Sequence, residues 1–433
     1  MDQSSGESNM RVLLVSANTE QMNITPLPLG LNCVAVSVRN AGHEVKLIDL
    51  MAERNDGISL QKEIGAYQPE VIGISVRNID DQNMDNPKFL PAPIKDVVRD
   101  CRTASDAPLV LGGAGFSIFP ESTLDYLQAD MGIQGEGETA FPLLLNRMQK
   151  KSPLAGTPGL YLRGHGLQGP REFAPNLDML PLPDAAISSL LASDKREIWM
   201  PFQTRRGCPL NCSYCSTFMI EGCFLRKRSP GPVIEAISDH VDRGFNRFYF
   251  VDNIFNLPPS YAGKLCRGII KSKLQISWRC IYYPGKTDEN VVELMAKAGC
   301  IEVGLGFESG SANILRRMNK RFGPTQVRAA SDILNKNGIR RWGFLMLGGP
   351  GETKETVKES LDFADSLNLD GLKITLGIRI YPNTAIAKTA IEDGLLSPTD
   401  DLLAPKFYVV KELNQWLHET VEAWKVGRPY CVN

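Results

Sequence analysis

Short apolar runs alternate with amphipathic stretches along most of this chain. Arg11-Val-Leu-Leu-Val-Ser16 is the first run, and Glu44-Val-Lys-Leu-Ile-Asp49, Glu70-Val-Ile-Gly-Ile-Ser75, Pro108-Leu-Val-Leu111 and Met131-Gly-Ile133 follow it. Runs of this length that do not alternate predict strands covered on both faces, as in a parallel sheet. Between them, helical spacing predicts helices from Pro26-Leu-Pro-Leu-Gly30 to Ala41, with Gly42 as cap, and over 58–67, 93–103, 121–128 and 138–149. Five βα units in series predict an α/β, doubly wound, flavodoxin-like (Rossmann-type) domain over 11–150. The polar residues 1–10 ahead of it are expected to be a disordered tail. Residues 151–197 hold repeated Pro and Gly, read as turns and a linker, with Gly159-Leu-Tyr-Leu162 as a candidate short strand. A second series of strands is expected at 198–203, 247–252, 274–280, 301–306, 341–346 and 372–379. Helices are expected over 233–243, 290–298, 323–336 and 352–367. This second domain spans 198–384, and a short, mainly helical tail, 385–433, is expected to close it and touch substrate.

Composition narrows the picture. The 433 residues are 43% hydrophobic and 22% charged, with a formal net charge of -1. That balance gives no general pull towards nucleic acid or anionic membrane. The basic clusters Arg226-Lys-Arg228 and Arg316-Arg317 read as solvated faces. No apolar run reaches membrane-spanning length, and the first residues lack the apolar core of a signal peptide. The ten cysteines do not form a disulfide framework. Reduced thiols point to the cytoplasm.

Three of those cysteines carry the chemistry. Thr204-Arg-Arg-Gly-Cys208-Pro-Leu-Asn-Cys212-Ser-Tyr-Cys215 places three thiols in one short loop, at the expected carboxyl end of the strand over 198–203. Thiolates so arranged can hold an iron–sulfur cluster and leave one iron open. A zinc site is the alternative, but zinc usually takes four protein ligands in paired spacings, and no second cysteine pair is evident. Cys431, near the C-terminus, reads as incidental.

The loop resembles the radical S-adenosylmethionine (SAM) enzymes, whose signature is Cys-x3-Cys-x-aromatic-Cys; Tyr214 holds the aromatic position. The resemblance implies a partial (β/α)6 TIM-type barrel and a [4Fe-4S] cluster on Cys208, Cys212 and Cys215. It also implies SAM on the fourth iron and reductive cleavage of that SAM. Gly304-Leu-Gly-Phe-Glu308-Ser-Gly310 matches the family's fourth-strand element, so Glu308 is expected to contact SAM. Tyr214, Asp252 and Arg379 are expected there too. The turn Gly348-Gly-Pro-Gly351-Glu-Thr353 is another family feature. A small-molecule substrate and a reducing partner such as flavodoxin or ferredoxin are implied.

The N-terminal domain resembles the cobalamin-binding domain fused ahead of many radical SAM enzymes, through Ala41-Gly-His-Glu-Val45, Gly73-Ile-Ser75, Gly112-Gly113 and Gly135-Glu-Gly-Glu-Thr139. Ser75, Asn78, Gly112, Gly113, Gly135 and Glu136 are the residues expected to line a cobalamin pocket. The Asp-x-His-x-x-Gly motif that ligates cobalt in other cobalamin proteins is absent, and His43 reads as a surface turn residue at the opposite edge. Cobalamin would bind without histidine, or the domain is vestigial. The readings are cobalamin-dependent methyl transfer or related radical chemistry, a cobalamin-free radical SAM reaction such as aminocarboxypropyl transfer or cyclisation, and a non-catalytic iron–sulfur electron carrier. Methylthio transfer is disfavoured, since no cysteine set suits a second cluster.

Overall fold

The structure, a computed structural model, describes residues 9–20, 27–51, 60–192 and 194–432. The chain divides into two compact units, Met1–Ile79 with Phe89–Ser193, and Asp80–Lys88 with Asp194–Asn433.

The first unit is a sheet of β1 (Arg11–Ser16), β2 (Glu44–Asp49), β3 (Val71–Ser75), β4 (Leu109–Gly112), β5 (Met131–Ile133), β6 (Leu160–Leu162) and β7 (Gly166–Leu167), in the order β2-β1-β3-β4-β5-β6-β7. The first five strands are parallel, in the flavodoxin-like order. Helices α1 (Leu29–Asn40), α2 (Leu60–Tyr67), α3 (Pro91–Ala104), α4 (Ala114–Ile118), α5 (Pro120–Leu127), α6 (Gly137–Gln149) and α7 (Ala185–Leu191) accompany it. Val12, Leu14, Val71 and Val110 pack with Phe141 and Leu144 of α6 in one core. That burial on both faces is why these strands read as unbroken apolar runs.

Some expectations change here. The stretch 151–197 is more than a linker: β6 and β7 add an antiparallel hairpin to the edge of the sheet. β6 falls on the short strand expected at 159–162, whereas β7, at two residues, is too short for a hydrophobic period to register. The loop after β4 contains α4, which was not expected. His43 is buried rather than a surface residue; its Nδ1 accepts from Met10 N at 3.4 Å, and burial pushes its pKa down. The expected tail over 1–10 lies outside the described residues up to residue 8, as do the expected helix starts at Pro26 and residue 58.

The second unit has β8 (Met200–Phe202), β9 (Arg205–Arg206), β10 (Arg226–Lys227), β11 (Arg247–Phe250), β12 (Ser277–Tyr282), β13 (Cys300–Glu308), β14 (Arg340–Leu347), β15 (Gly371–Leu376), β16 (Ile378–Arg379), β17 (Phe407–Tyr408) and β18 (Cys431–Val432). Its helices are α8 (Thr217–Glu221), α9 (Pro230–Asp242), α10 (Pro259–Lys271), α11 (Glu289–Lys297), α12 (Ala312–Arg317), α13 (Pro324–Lys336), α14 (Lys354–Ser366), α15 (Ala385–Glu392) and α16 (Asn414–Lys425). The main sheet runs β18-β15-β14-β13-β12-β11-β8 with every neighbour parallel, and β8 is not paired to β18. This is the open, partial barrel. Phe250, Phe255 and Trp278 meet at 4.8–5.3 Å between ring centres in its core.

Helix α10 had no counterpart among the expected elements, although Pro259 at its first turn is a start signal and Tyr261, Leu265, Cys266 and Ile269 form its buried stripe. The sixth strand stops at Leu376 because Gly377 turns the chain at φ +68. β16 then leaves the main sheet and pairs antiparallel with β17. The tail is not helical throughout: β18 joins the main sheet beside β15.

Candidate active site

The cysteine loop hangs from a buried ion pair at the carboxyl end of β8. Asp252, just past β11, accepts from Thr204 N (2.6 Å), Thr204 Oγ1 (2.6 Å), Arg205 N (2.9 Å) and Arg205 Nε (3.1 Å). The Arg205 guanidinium lies against the rings of Phe255 (4.8 Å) and Tyr261 (4.7 Å) and donates to the Leu257 carbonyl at 3.1 Å. Both side chains are sealed from water, at 1% and 0% exposure, so each charge is tolerable only because of the other. One step on, Glu221 accepts from Gly207 N (3.0 Å), Gln203 Nε2 (2.6 Å) and Asn253 Nδ2 (2.6 Å). Burial pushes its carboxyl up, against those donors and Arg206.

A second segment straps the loop from the other side. Met318 O accepts from Ser213 N (3.1 Å), Asn319 Nδ2 donates to Asn211 O (2.6 Å), and Arg321 donates to Pro209 O (3.4 Å). Ile386 N, at the start of α15, donates to Ser213 O at 3.0 Å.

Between these clamps, Cys208, Cys212 and Cys215 are free and half-buried. Burial pushes the Cys208 thiol up to about 11, and Cys212 and Cys215 beside it push the same way. Burial raises the Cys212 thiol too, with Lys320 opposing. Three thiols close enough to resist each other's ionisation need a cation to hold them as thiolates. An iron–sulfur cluster supplies that, and the donor set fits it. Among the described residues no three His, Cys, Asp or Glu side chains converge as on a single ion.

Glu308 ends β13 at a break in its register with β14 and takes φ +62, a left-handed conformation that costs a non-glycine residue about 1–3 kcal/mol. The bend carries its carboxylate to Lys320 Nζ, 3.1 Å away, with both side chains almost fully buried. Lys320 also lies over the Tyr214 ring at 5.2 Å. Burial works against the lysine's charge, but Glu308, Tyr214 and Cys212 outweigh it and raise its pKa well above the ordinary value. Burial, reinforced by Glu308, holds the Tyr214 phenol protonated. Glu308, Tyr214 and Cys212 are thus gathered around one buried cation. Lys320 was not anticipated from sequence; the run Arg316–Arg321 that contains it held the only hint, and its first two residues read as a solvated face.

Two expected SAM contacts sit differently. Asp252 is turned wholly to Thr204 and Arg205, as described. Arg379 is buried, with Nε 2.7 Å from Asp80 and its other nitrogens donating to the carbonyls of Ile380 (2.5 Å) and Leu402 (2.8 Å). Both are engaged in holding backbone. Beside Arg379, the Tyr381 hydroxyl accepts from Gln82 Nε2 at 3.0 Å. After β14, Glu352 accepts from the N–H groups of Gly348 and Gly349 (3.0 Å for the latter), and its Oε1 is buried without a hydrogen bond. Burial pushes its carboxyl up to about 7.

In the first unit the carboxyl edge is built from backbone. Ser75 and Gly112 are register partners at the ends of β3 and β4, and a Cβ at Gly112 would meet nothing within 4 Å. Gly113, at φ +99, is forced to be glycine, since a Cβ would fall 2.6 Å from Val76 O. Asn78 lies in the loop after β3, packed near Gly115. Gly135 N donates to Ser117 Oγ at 3.0 Å, and Glu136 accepts from Ala174 N at 2.7 Å. No histidine lies among these residues, and the open backbone over Gly112 suits a large ligand that needs no side-chain ligation.

The radical SAM superfamily description matches residues 203–364, and the B12 binding domain description matches residues 15–145. An uncharacterized methyltransferase of Pyrococcus horikoshii is 31% identical over 401 residues, 89% of this chain and 84% of the relative. The chain belongs to the B12-binding branch of the radical SAM superfamily. Like its relatives, this radical SAM protein is an enzyme. Tryptophan 2-C-methyltransferase of Streptomyces laurentii is 23% identical over 447 residues, 87% of this chain and 74% of that one. The structure of the radical SAM methyltransferase TsrM from Kitasatospora setae, with tryptophan and a SAM analogue bound, superposes at a TM-score of 0.86 and 21% identity, over 98% of this chain and 91% of that one. That likeness establishes the two-part α/β fold. Among the described residues of this radical SAM chain, no helix is long and apolar enough to cross a membrane.

Proposed function

We propose that this radical SAM enzyme is a cobalamin-dependent methyltransferase acting on a small molecule. One observation carries the reading: three free thiols, clamped by Asp252–Arg205 on one side and residues 318–321 on the other, stand beside a buried Lys320–Glu308 pair. When bound, the cluster supplies an electron and an open coordination position for SAM, and cobalamin supplies methyl transfer from SAM to substrate.

The chain's own residues then divide the work. Cys208, Cys212 and Cys215 hold three irons. Glu308 and Lys320 offer an anion and a cation to the amino and carboxylate ends of SAM, and Tyr214 screens the cluster. Asp252 and Arg379 position the loop and the end of β16 rather than touching SAM. Ser75, Asn78, Gly112, Gly113, Gly135 and Glu136 border the corrin. The neutral phenol of Tyr381 lies near Cys215 and Gln82, where it can donate a hydrogen bond to substrate; burial pushes its pKa up to about 12, with Asp80 adding to the shift. A low-potential one-electron protein reduces the cluster, and the free thiols support a cytoplasmic location.

Anaerobic reconstitution with iron, sulfide and hydroxocobalamin tests the reading. The expected holoenzyme carries about four irons, retains a corrin absorbance after gel filtration, and converts SAM to S-adenosylhomocysteine under reductant. A protein that holds the cluster but washes free of corrin overturns the cobalamin part. One that binds a single tetrahedral metal overturns the whole.

A further inference from the structure

The inner wall of the barrel carries a charge that no neighbour answers. In β15, Leu372 and Ile374 are buried on the helix side, so Lys373 and Thr375 face the opposite way, into the barrel. The strand register extends that inner face across the sheet. Lys373 is level with Phe344 and Gly306, Thr375 with Met346, and Trp342 with Gly304 and Ile281. Lys373, Thr375, Trp342, Phe344 and Met346 are all half-buried, within reach of a small molecule in the barrel.

Glycines bring the apolar side chains of this wall close to its backbone. A Cβ at Gly304 would fall 2.7 Å from Ile281 and 2.8 Å from Phe344, and one at Gly371 would fall 2.7 Å from the Trp342 indole. The wall is therefore ring and aliphatic carbon over β12–β14, with a polar strip, Lys373 and Thr375, on β15. An apolar surface with a few placed polar groups is the usual make-up of a small-molecule site. Other charges on the inner face are paired. Arg279 and Arg340 share Glu302 at 3.5 and 3.0 Å, and Arg247 reaches Glu197 at 3.4 Å. The Lys373 ammonium makes no ion pair or hydrogen bond among the described residues, and the Thr375 hydroxyl makes no hydrogen bond there. A cation that gives up part of its hydration without gaining a partner is poised for an oxyanion. Its place suits the chemistry: Gly306, level with Lys373, comes two residues before Glu308, so the strip begins just beneath the carboxylate assigned to SAM.

We propose that Lys373 is a specificity-determining residue, which binds the carboxylate or phosphate of a substrate whose apolar body lies on Trp342 and Phe344. The inference deepens the reading of the barrel as the substrate site and rests on it.

Anaerobic calorimetric titration of the reconstituted holoenzyme tests it, with probes of one shape: 3-phenylpropionate, 3-phenylpropyl phosphate, the neutral 3-phenylpropanamide and the cationic 3-phenylpropylamine. Wild type should bind one of the two anions at least about tenfold more tightly than the amide, as a charge-assisted contact gives; the tighter anion names the group. Lys373→Met should erase that preference by weakening the anion while leaving the amide unchanged. Lys373→Arg should keep it, and Lys373→Glu should turn it towards the amine. A purely structural role would shift every probe together. Equal binding of anion and amide by wild type, no binding of either anion, or a Lys373→Met that weakens anion and amide alike would each overturn the proposal. Iron content and corrin absorbance of the same samples report on the proposed function separately: a wild type that holds both cofactors but shows no anion preference overturns only the role of Lys373.

Discussion

The two sheets present their carboxyl edges by opposite means. The second unit fixes its edge with side chains: Asp252 against Arg205, Glu308 against Lys320, Arg379 against Asp80, all buried. The first unit fixes its edge largely with backbone, through Gly113 and Gly135 in left-handed conformations and backbone N–H groups that donate to Ser117 and Glu136. The difference matches the chemistry proposed for each edge. A cluster and a zwitterion need charges held at defined points, and buried pairs hold them. A broad macrocycle needs room and hydrogen-bonding backbone, which glycine gives.

The sharpest break of this contrast is Cys212→Ala. It should lower bound iron from about four per chain to under one and abolish SAM turnover while leaving corrin retention in place, as iron analysis and absorbance would measure. Next comes Lys320→Met. Removing one partner of a buried pair should cost about 3–5 kcal/mol in denaturant melts, and Lys320→Met with Glu308→Gln should recover much of that stability without recovering SAM binding. A smaller effect concerns Glu352. Its folded pKa of about 7 stands above the ordinary 4.5. Its unfolded form releases the proton first, so stability is full below about pH 4.5 and falls as pH rises to about 7, by on the order of 3 kcal/mol. In Glu352→Gln the melting temperature should lose this slope. The smallest is Gly113→Ala, where a Cβ strained by positive φ and pressed on Val76 O should cost about 2 kcal/mol. Corrin retention should fall and the iron content should not. Equal loss of both cofactors would dissolve the contrast between the edges.

What the sequence revealed follows the same division. The strands were legible because burial on both faces leaves continuous apolar runs. The cysteine loop was legible because its three ligands lie within eight residues of one another. Glycines at the first edge were legible as turn formers. The second edge was not, since its ion pairs join residues far apart in sequence: Asp80 and Arg379 are separated by 299 positions. Nothing local distinguishes Lys320 from a surface lysine, and only folding brings it under Tyr214. For the same reason Asp252 and Arg379 looked available for a ligand: a sequence displays a charge but not its partner.

The membership of Asp80–Lys88 in the second unit has a practical consequence. No single cut in the chain yields that unit whole. A fragment beginning after residue 150 would keep Arg379, Tyr381 and His418 but lose Asp80, Gln82 and Asp85, to which they are bonded. It would strand a buried guanidinium in a solvent-free site. Expressing the barrel alone therefore calls for supplying the nine-residue loop as well, either fused ahead of residue 194 or as a separate peptide.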